Sequence, residues 1–158
     1  MAHFTQSPLI QQCSQSEPSK ISPPAGLYSL FILRESGCPF YYRFYESDKN
    51  HPDPAILGGF FIALSLFAKE VTTGELETIT TGPCRYTFHQ LRQGLLVLCS
   101  AKNFNTLVLN KIAKRIAQLF VTKFNGRLLQ PYSAASYTPA LEKHLDQIFS
   151  EIKSKFHR

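Results

Sequence analysis

Along the chain the apolar positions change period several times, and each change marks an element. "GLYSLFILRE" (26–35) is dense in aromatic and aliphatic side chains, and "SGCP" (36–39) is turn chemistry. "FYYRFYES" (40–47) then alternates, with Phe40, Tyr42 and Phe44 on one face and Tyr41, Arg43 and Tyr45 on the other. This predicts two strands joined by a tight hairpin, with Gly37 supplying the positive φ of the turn. "DKNHPDP" (48–54) reads as a loop that ends in a helix start, Asp53 as cap and Pro54 in the first helical position. Helical spacing continues to Val71, and "TTG" (72–74) stops it, with Gly74 in the residue position after the cap. Three further strands are predicted over 76–82, 84–91 and 95–101. Leu95 to Cys99 is apolar on every residue, the mark of a central strand buried on both faces. Two amphipathic helices finish the pattern. One runs from Leu107 to Phe124 behind an Asn105 or Thr106 cap and stops at Asn125-Gly126; the other starts with Thr138 as cap and Pro139 first, and carries the stripe Leu141, Leu145, Ile148, Phe149, Ile152 and Phe156.

The first helix holds more apolar surface than one buried face needs. Ile56, Phe60, Ala63, Leu64, Phe67 and Val71 form one stripe, and Leu57, Phe61, Leu64 and Ala68 form a second beside it. Phe60, Leu64 and Phe67 are expected to face the sheet, which leaves Leu57, Phe61 and Leu66 at the margin or outside. Gly58 and Gly59 each cost about 1 kcal/mol relative to alanine in a helix interior, and close backbone approach to the sheet or to a partner is the usual compensation. With Asp53, Lys69 and Glu70 in it, the helix is expected to fall short of the ~20 apolar residues of a membrane span.

Composition sharpens this in three places. Residues 1–26 contain five Ser, four Gln and four Pro, too little apolar area to offset ordering, so a flexible tail is expected ahead of a folded domain over 27–158. The four cysteines (Cys13, Cys38, Cys84, Cys99) show no C-x-x-C pair, and the opening residues lack the basic start and apolar core of a secretory signal. Reduced thiols in a cytoplasmic protein are the expectation, with a location peripheral to membranes as the variant of it. The net charge of +6 is unevenly placed: from Thr78 to Leu141 there are eight basic residues and no acidic one. Lys111, Lys114, Arg115 and Lys123 lie on the polar side of the second helix, a face suited to an anionic membrane or an acidic partner. Nucleic acid is not favoured, because neither an RNP-type aromatic motif nor a recognition-helix pattern is present.

Strand, strand, helix, three strands, helix, helix, with short links between neighbouring strands, gives an α+β fold: a five-stranded antiparallel sheet flanked by helices. On the hairpin "LYSLFILRESGCPFYYRFY", the helix "PAILGGFFIALSLFAKEV" and the meander "LETITTGPCRYTFHQLRQGLLVLCSAKN", residues 27 to about 156 resemble a longin domain. This is the profilin-like module of some SNAREs, sedlin-type tethering subunits, small adaptor chains and exchange factors for small GTPases. The related roadblock fold usually begins with a helix, whereas this pattern begins with a hairpin. The resemblance implies a protein-interaction module in small-GTPase regulation or vesicle traffic, with a small GTPase or another longin or roadblock subunit as partner, in a homo- or heterodimer. It places the binding groove between the first helix and the third strand, at Leu57, Phe61, Leu64 and Ile79. The pattern ends at Arg158 without a heptad repeat, so a free-standing module is expected rather than a SNARE. No cofactor, catalytic residue or metal site is expected. The five histidines are scattered, Gly58-Gly59 falls inside a helix rather than in a phosphate loop, and His51 has only Asp48 and Asp53 near it. The basic adaptor for membrane or nucleic acid and the roadblock-like GTPase-regulatory subunit stay open as alternatives.

Overall fold

The computed structural model describes residues 22–46, 50–123 and 134–156, with side chains in the last stretch from Pro139 onward. The order is β1 (Leu27–Arg34), β2 (Pro39–Phe44), α1 (Pro54–Thr72), β3 (Thr78–Thr81), β4 (Cys84–Leu91), β5 (Gly94–Ala101), α2 (Thr106–Lys123) and α3 (Ala134–Phe156). The strands form one antiparallel sheet in the order β2-β1-β5-β4-β3. β5, the most continuously apolar segment, lies at its centre, buried from Gly94 to Ser100. The α+β arrangement expected from the pattern is therefore the one observed.

Side chains divide between two cores, one on each face of the sheet. Leu30, Ile32, Leu96 and Leu98 meet α2 and α3, through residues such as Leu109, Ile112, Ile116, Leu145 and Phe149. Phe31, Leu33, Leu95 and Val97 point the other way and meet Phe61 of α1. Because α1 connects β2 to β3, it must cross the sheet from one edge to the other. Its 19 residues span about 28 Å at 1.5 Å per residue, ample for the roughly 19 Å width of five strands. Among the described residues it is the sole helix on that face.

Several local details depart from the sequence expectation. Phe40 does not share a face with Tyr42 and Phe44. The β1–β2 register runs from Ile32↔Tyr41 to Leu33↔Pro39, so Phe40 is the extra residue of a bulge. It turns to the α2 side, where its ring lies 5.7 Å from Phe120. The left-handed residue ending α1 is Thr73 (φ 58), not Gly74; its N–H reaches the Lys69 carbonyl, and the Gly74 N–H is taken by the Thr72 hydroxyl. α3 begins at Ala134, so Pro139 lies inside it rather than opening it; its missing N–H removes one backbone bond near the N-terminus, where few are made. Gly37 (φ +87) holds the hairpin turn as expected. Asn105 caps α2, its side chain accepting from the Leu107 N–H at 2.9 Å. Pro24 is buried and its carbonyl accepts from Leu27 N–H, so the chain joins the fold just before β1. The remainder of the expected tail, and the Asn125-Gly126 stop, lie outside the described residues.

Candidate functional site

The phase of α1 on the sheet is set by its smallest residue. Gly58 is buried against the β1–β2 turn, where an added Cβ would overlap the Gly37 carbonyl oxygen and lie 3.0 Å from Leu33 Cδ2. Three residues on, Phe61 (3% exposed) enters the core. Its ring centroid stands 5.6 Å from Phe31, 5.5 Å from Tyr86 and 5.8 Å from Phe88. Asp53 fixes the start of the helix, its carboxylate accepting from Ala55 N–H at 2.8 Å.

With Gly58 and Phe61 facing inward, the first apolar stripe must face out. Ile56 (71% exposed), Phe60 (56%), Phe67 (65%) and Val71 (64%) line the side of α1 away from the sheet, with Ala63 between them and Leu66 nearby. This corrects the expected orientation: Phe60 and Phe67 do not face the sheet, and Phe61 is not at the margin. By length and composition α1 is also apolar enough to cross a membrane, contrary to the expectation that it falls short. In the fold its cap and its contacts with Gly37 and Phe31 lay it across the sheet.

Of the expected contact residues, Leu57, Phe61 and Ile79 do come together, but as the inner wall between α1 and the sheet. Phe61 cannot touch a partner while α1 stays seated. Leu57, Leu64 and Ile79 are half-buried at the margins. The residues available for contact are Ile56, Phe60, Phe67 and Val71. The Gly58-Gly59 pair was the available signal, but it does not say which glycine is packed: Gly58 meets the turn, whereas Gly59 is exposed with nothing within 4 Å of an added Cβ.

Near the start of α1 a half-open cavity of about 160 Å³ is lined by Ser29, Phe44, His51, Leu57, Cys84, Tyr86 and Cys99. His51 is held structurally, stacked 3.9 Å from Phe44 with Nε2 2.7 Å from the Glu46 carbonyl oxygen. Burial pushes the Cys99 thiol up to about 11 and the Tyr86 hydroxyl up to about 12, so both stay protonated at neutral pH. No group of three or more His, Cys, Asp or Glu among the described residues could hold a metal ion.

On the opposite face, Lys111, Lys114 and Arg115 are exposed along the polar side of α2; Lys123, exposed at the helix end, does not share that side as expected but continues the stripe of Ile116, Leu119 and Phe120. Arg115 pairs with Glu151 at 2.6 Å, and the Lys111 ammonium lies 4.9 Å from the Phe156 ring centroid. Arg85, half-buried, is structural instead: its guanidinium donates to the Lys102 and Phe104 carbonyls at 2.6 and 2.7 Å and to the Thr106 hydroxyl at 3.1 Å, binding the β5–α2 loop. Arg43 on β2 meets Glu142 on α3 at 2.7 Å. Burial, reinforced by Glu142, raises Tyr41 above its ordinary value, so that hydroxyl remains a neutral donor within the same junction.

A five-stranded antiparallel sheet in the element order ββαβββαα, with one crossing helix on one face and two helices on the other, is a longin-like, profilin-like fold. The sequence matches no protein-family model and no curated protein. Among solved structures it is similar to the gliding protein MglB from Thermus thermophilus, at 9% identity, with 79% of each chain covered and a TM-score of 0.45. It is also similar to MglB with tetrameric arrangement, at 10% identity, over 80% of this chain and 79% of that one, with a TM-score of 0.41. The longin-like layout stands on this chain's own strand order and helix placement.

Proposed function

We propose that this chain is a non-catalytic protein-interaction module of longin type, which pairs through the outer stripe of α1 with a second longin- or roadblock-type subunit, its own second copy first. The pair would serve the regulation of a small GTPase in a vesicle-traffic-like setting. One observation carries this reading: Ile56, Phe60, Phe67 and Val71 stand open on a helix whose opposite side is already seated. Contiguous apolar exposure of that kind is uncommon on a monomer and marks a contact surface.

The spacing favours a helix as the occupant. Ile56, Phe60, Ala63 and Phe67 recur at four, three and four residues, the rhythm of a two-helix seam. A twofold axis across α1 would set the stripe against itself, as an isologous contact requires. Glu70 is the charged residue on the outer side, near the C-terminal end of α1, so an antiparallel self-contact would keep the two copies of it apart at opposite ends. The short edge strand β3 (Thr78–Thr81) leaves backbone groups open beside it, which a paired subunit could also cover.

Titration calorimetry with purified small GTPases, each loaded with GDP or a non-hydrolysable GTP analogue, tests the regulatory part. Saturable binding to one of them, lost in Phe60→Asp/Phe67→Asp while circular dichroism is unchanged, is the expected result. Absence of binding across the panel, or binding indifferent to both substitutions, refutes it.

A further inference from the structure

We infer that α2 is a docking face for an anionic lipid bilayer, separate from the proposed protein contact on α1. The stripe of α2 that faces away from the sheet runs Leu107, Lys111, Lys114, Gln118, Val121, at intervals of four, three, four and three residues. Its buried complement is Val108, Leu109, Ile112, Ala113, Ile116, Leu119 and Phe120, so the orientation is settled by packing. The outward stripe therefore sets two ammonium groups between two exposed apolar ends, Leu107 (69% exposed) and Val121 (56%). Phe156 of α3, 44% exposed, extends the apolar part beside Lys111.

Charge complementarity selects the occupant. α2 carries Lys111, Lys114, Arg115 and Lys123 and no acidic residue. Of the acidic residues on α3, Glu151 is engaged by Arg115, and Glu142 is turned to β2, where it pairs with Arg43. Lys111 and Lys114 make no ion pair among the described residues, and Lys155 is exposed in the last turn of α3. Glu151 offsets Arg115, so the net positive charge of the face rests on Lys111 and Lys114. A purely cationic face would suit any polyanion. The flanking Leu107, Val121 and Phe156 add what a bilayer interface uses and a phosphate backbone does not: apolar side chains that enter the headgroup boundary while lysine stems reach outward over it. α1 lies on the far side of the sheet, so both surfaces could be occupied at once.

The test is flotation of the full chain with vesicles of phosphatidylcholine alone and of phosphatidylcholine with phosphatidylserine. Binding to the mixed vesicles only, falling steeply with added salt, is expected. Lys111→Gln/Lys114→Gln should lower the partition coefficient about 25-fold, two cations at roughly fivefold each. Leu107→Ser/Val121→Ser should weaken vesicle binding while leaving binding to a DNA duplex, if any, unchanged. All four positions are exposed, and circular dichroism checks that each variant keeps its fold. Absence of vesicle binding by the wild type, binding equal on both vesicle types, or a duplex bound more tightly than mixed vesicles would overturn the inference. None of these results bears on the α1 contact, whose variants lie on the other face.

Discussion

Gly58→Ala and Gly59→Ala make the same chemical change at neighbouring helical positions, and the structure predicts opposite signs for them. In a helix interior the change from glycine to alanine is favourable by about 1 kcal/mol. At Gly59, exposed and with nothing within 4 Å of an added Cβ, that gain should appear in full. At Gly58 the new methyl would overlap the Gly37 carbonyl oxygen and press on Leu33 Cδ2 at 3.0 Å. The carbonyl cannot retreat easily, because Gly37 sits at φ +87 in a turn whose N–H is bonded to the Arg34 carbonyl at 2.9 Å. Either the turn deforms or α1 lifts and loosens Phe61. Overpacking of this kind costs about 3 kcal/mol, more than the helical gain, for a net loss near 2 kcal/mol. Thermal unfolding followed by circular dichroism should show Gly58→Ala melting roughly 6–8 °C below wild type and Gly59→Ala about 3 °C above it. A Gly58→Ala protein at or above the wild-type midpoint would mean that α1 does not sit on the hairpin turn, and the outward stripe would lose its basis.

Two further outcomes follow from buried polar groups. Arg85→Ala removes three bonds that hold the β5–α2 loop, one of them to the part-buried Phe104 carbonyl; a loss of about 1–2 kcal/mol is expected in urea unfolding, with partner and vesicle binding by the folded protein unchanged. His89 lies on β4 opposite Leu96, its Nε2 is buried without a hydrogen-bond partner among the described residues, and burial lowers its pKa below the ordinary 6.5. The unfolded chain then binds the proton more readily than the folded one, so this contribution is intact above about pH 6.5 and is lost as pH falls through the folded pKa. His89→Leu should flatten the acid side of the stability profile, and an unchanged slope would contradict the buried, neutral imidazole.

Strand and helix identities were legible because their periods differ: alternation in "FYYRFYES", an unbroken apolar run from Leu95 to Cys99, and a one-sided stripe in α3. The orientation of α1 was not legible from hydrophobicity. It is apolar on both sides, so counting apolar residues favoured the longer stripe, Ile56 to Val71, which turned out to be the open one. Packing was decided instead by shape, by where a backbone could approach Gly37, and only the Gly58-Gly59 pair hinted at that. The bulge at Phe40 was similarly hidden. Pattern alone continues the alternation, whereas the register shift between Ile32 and Leu33 is a property of the paired strands. Along α2 the charge pattern was readable, but which cations remain available depends on Glu151 claiming Arg115 from another helix.

Sedimentation velocity over a concentration series, comparing wild type with Phe60→Asp/Phe67→Asp, tests the α1 contact most directly. A twofold pair would bury four phenylalanines, each worth about 1.5–3 kcal/mol when fully covered, so the double substitution should abolish association. The expected result is a wild-type dimer and a folded monomeric variant. A wild type that stays monomeric throughout, or a variant that pairs as well as the wild type, would contradict the proposed role of the outer stripe.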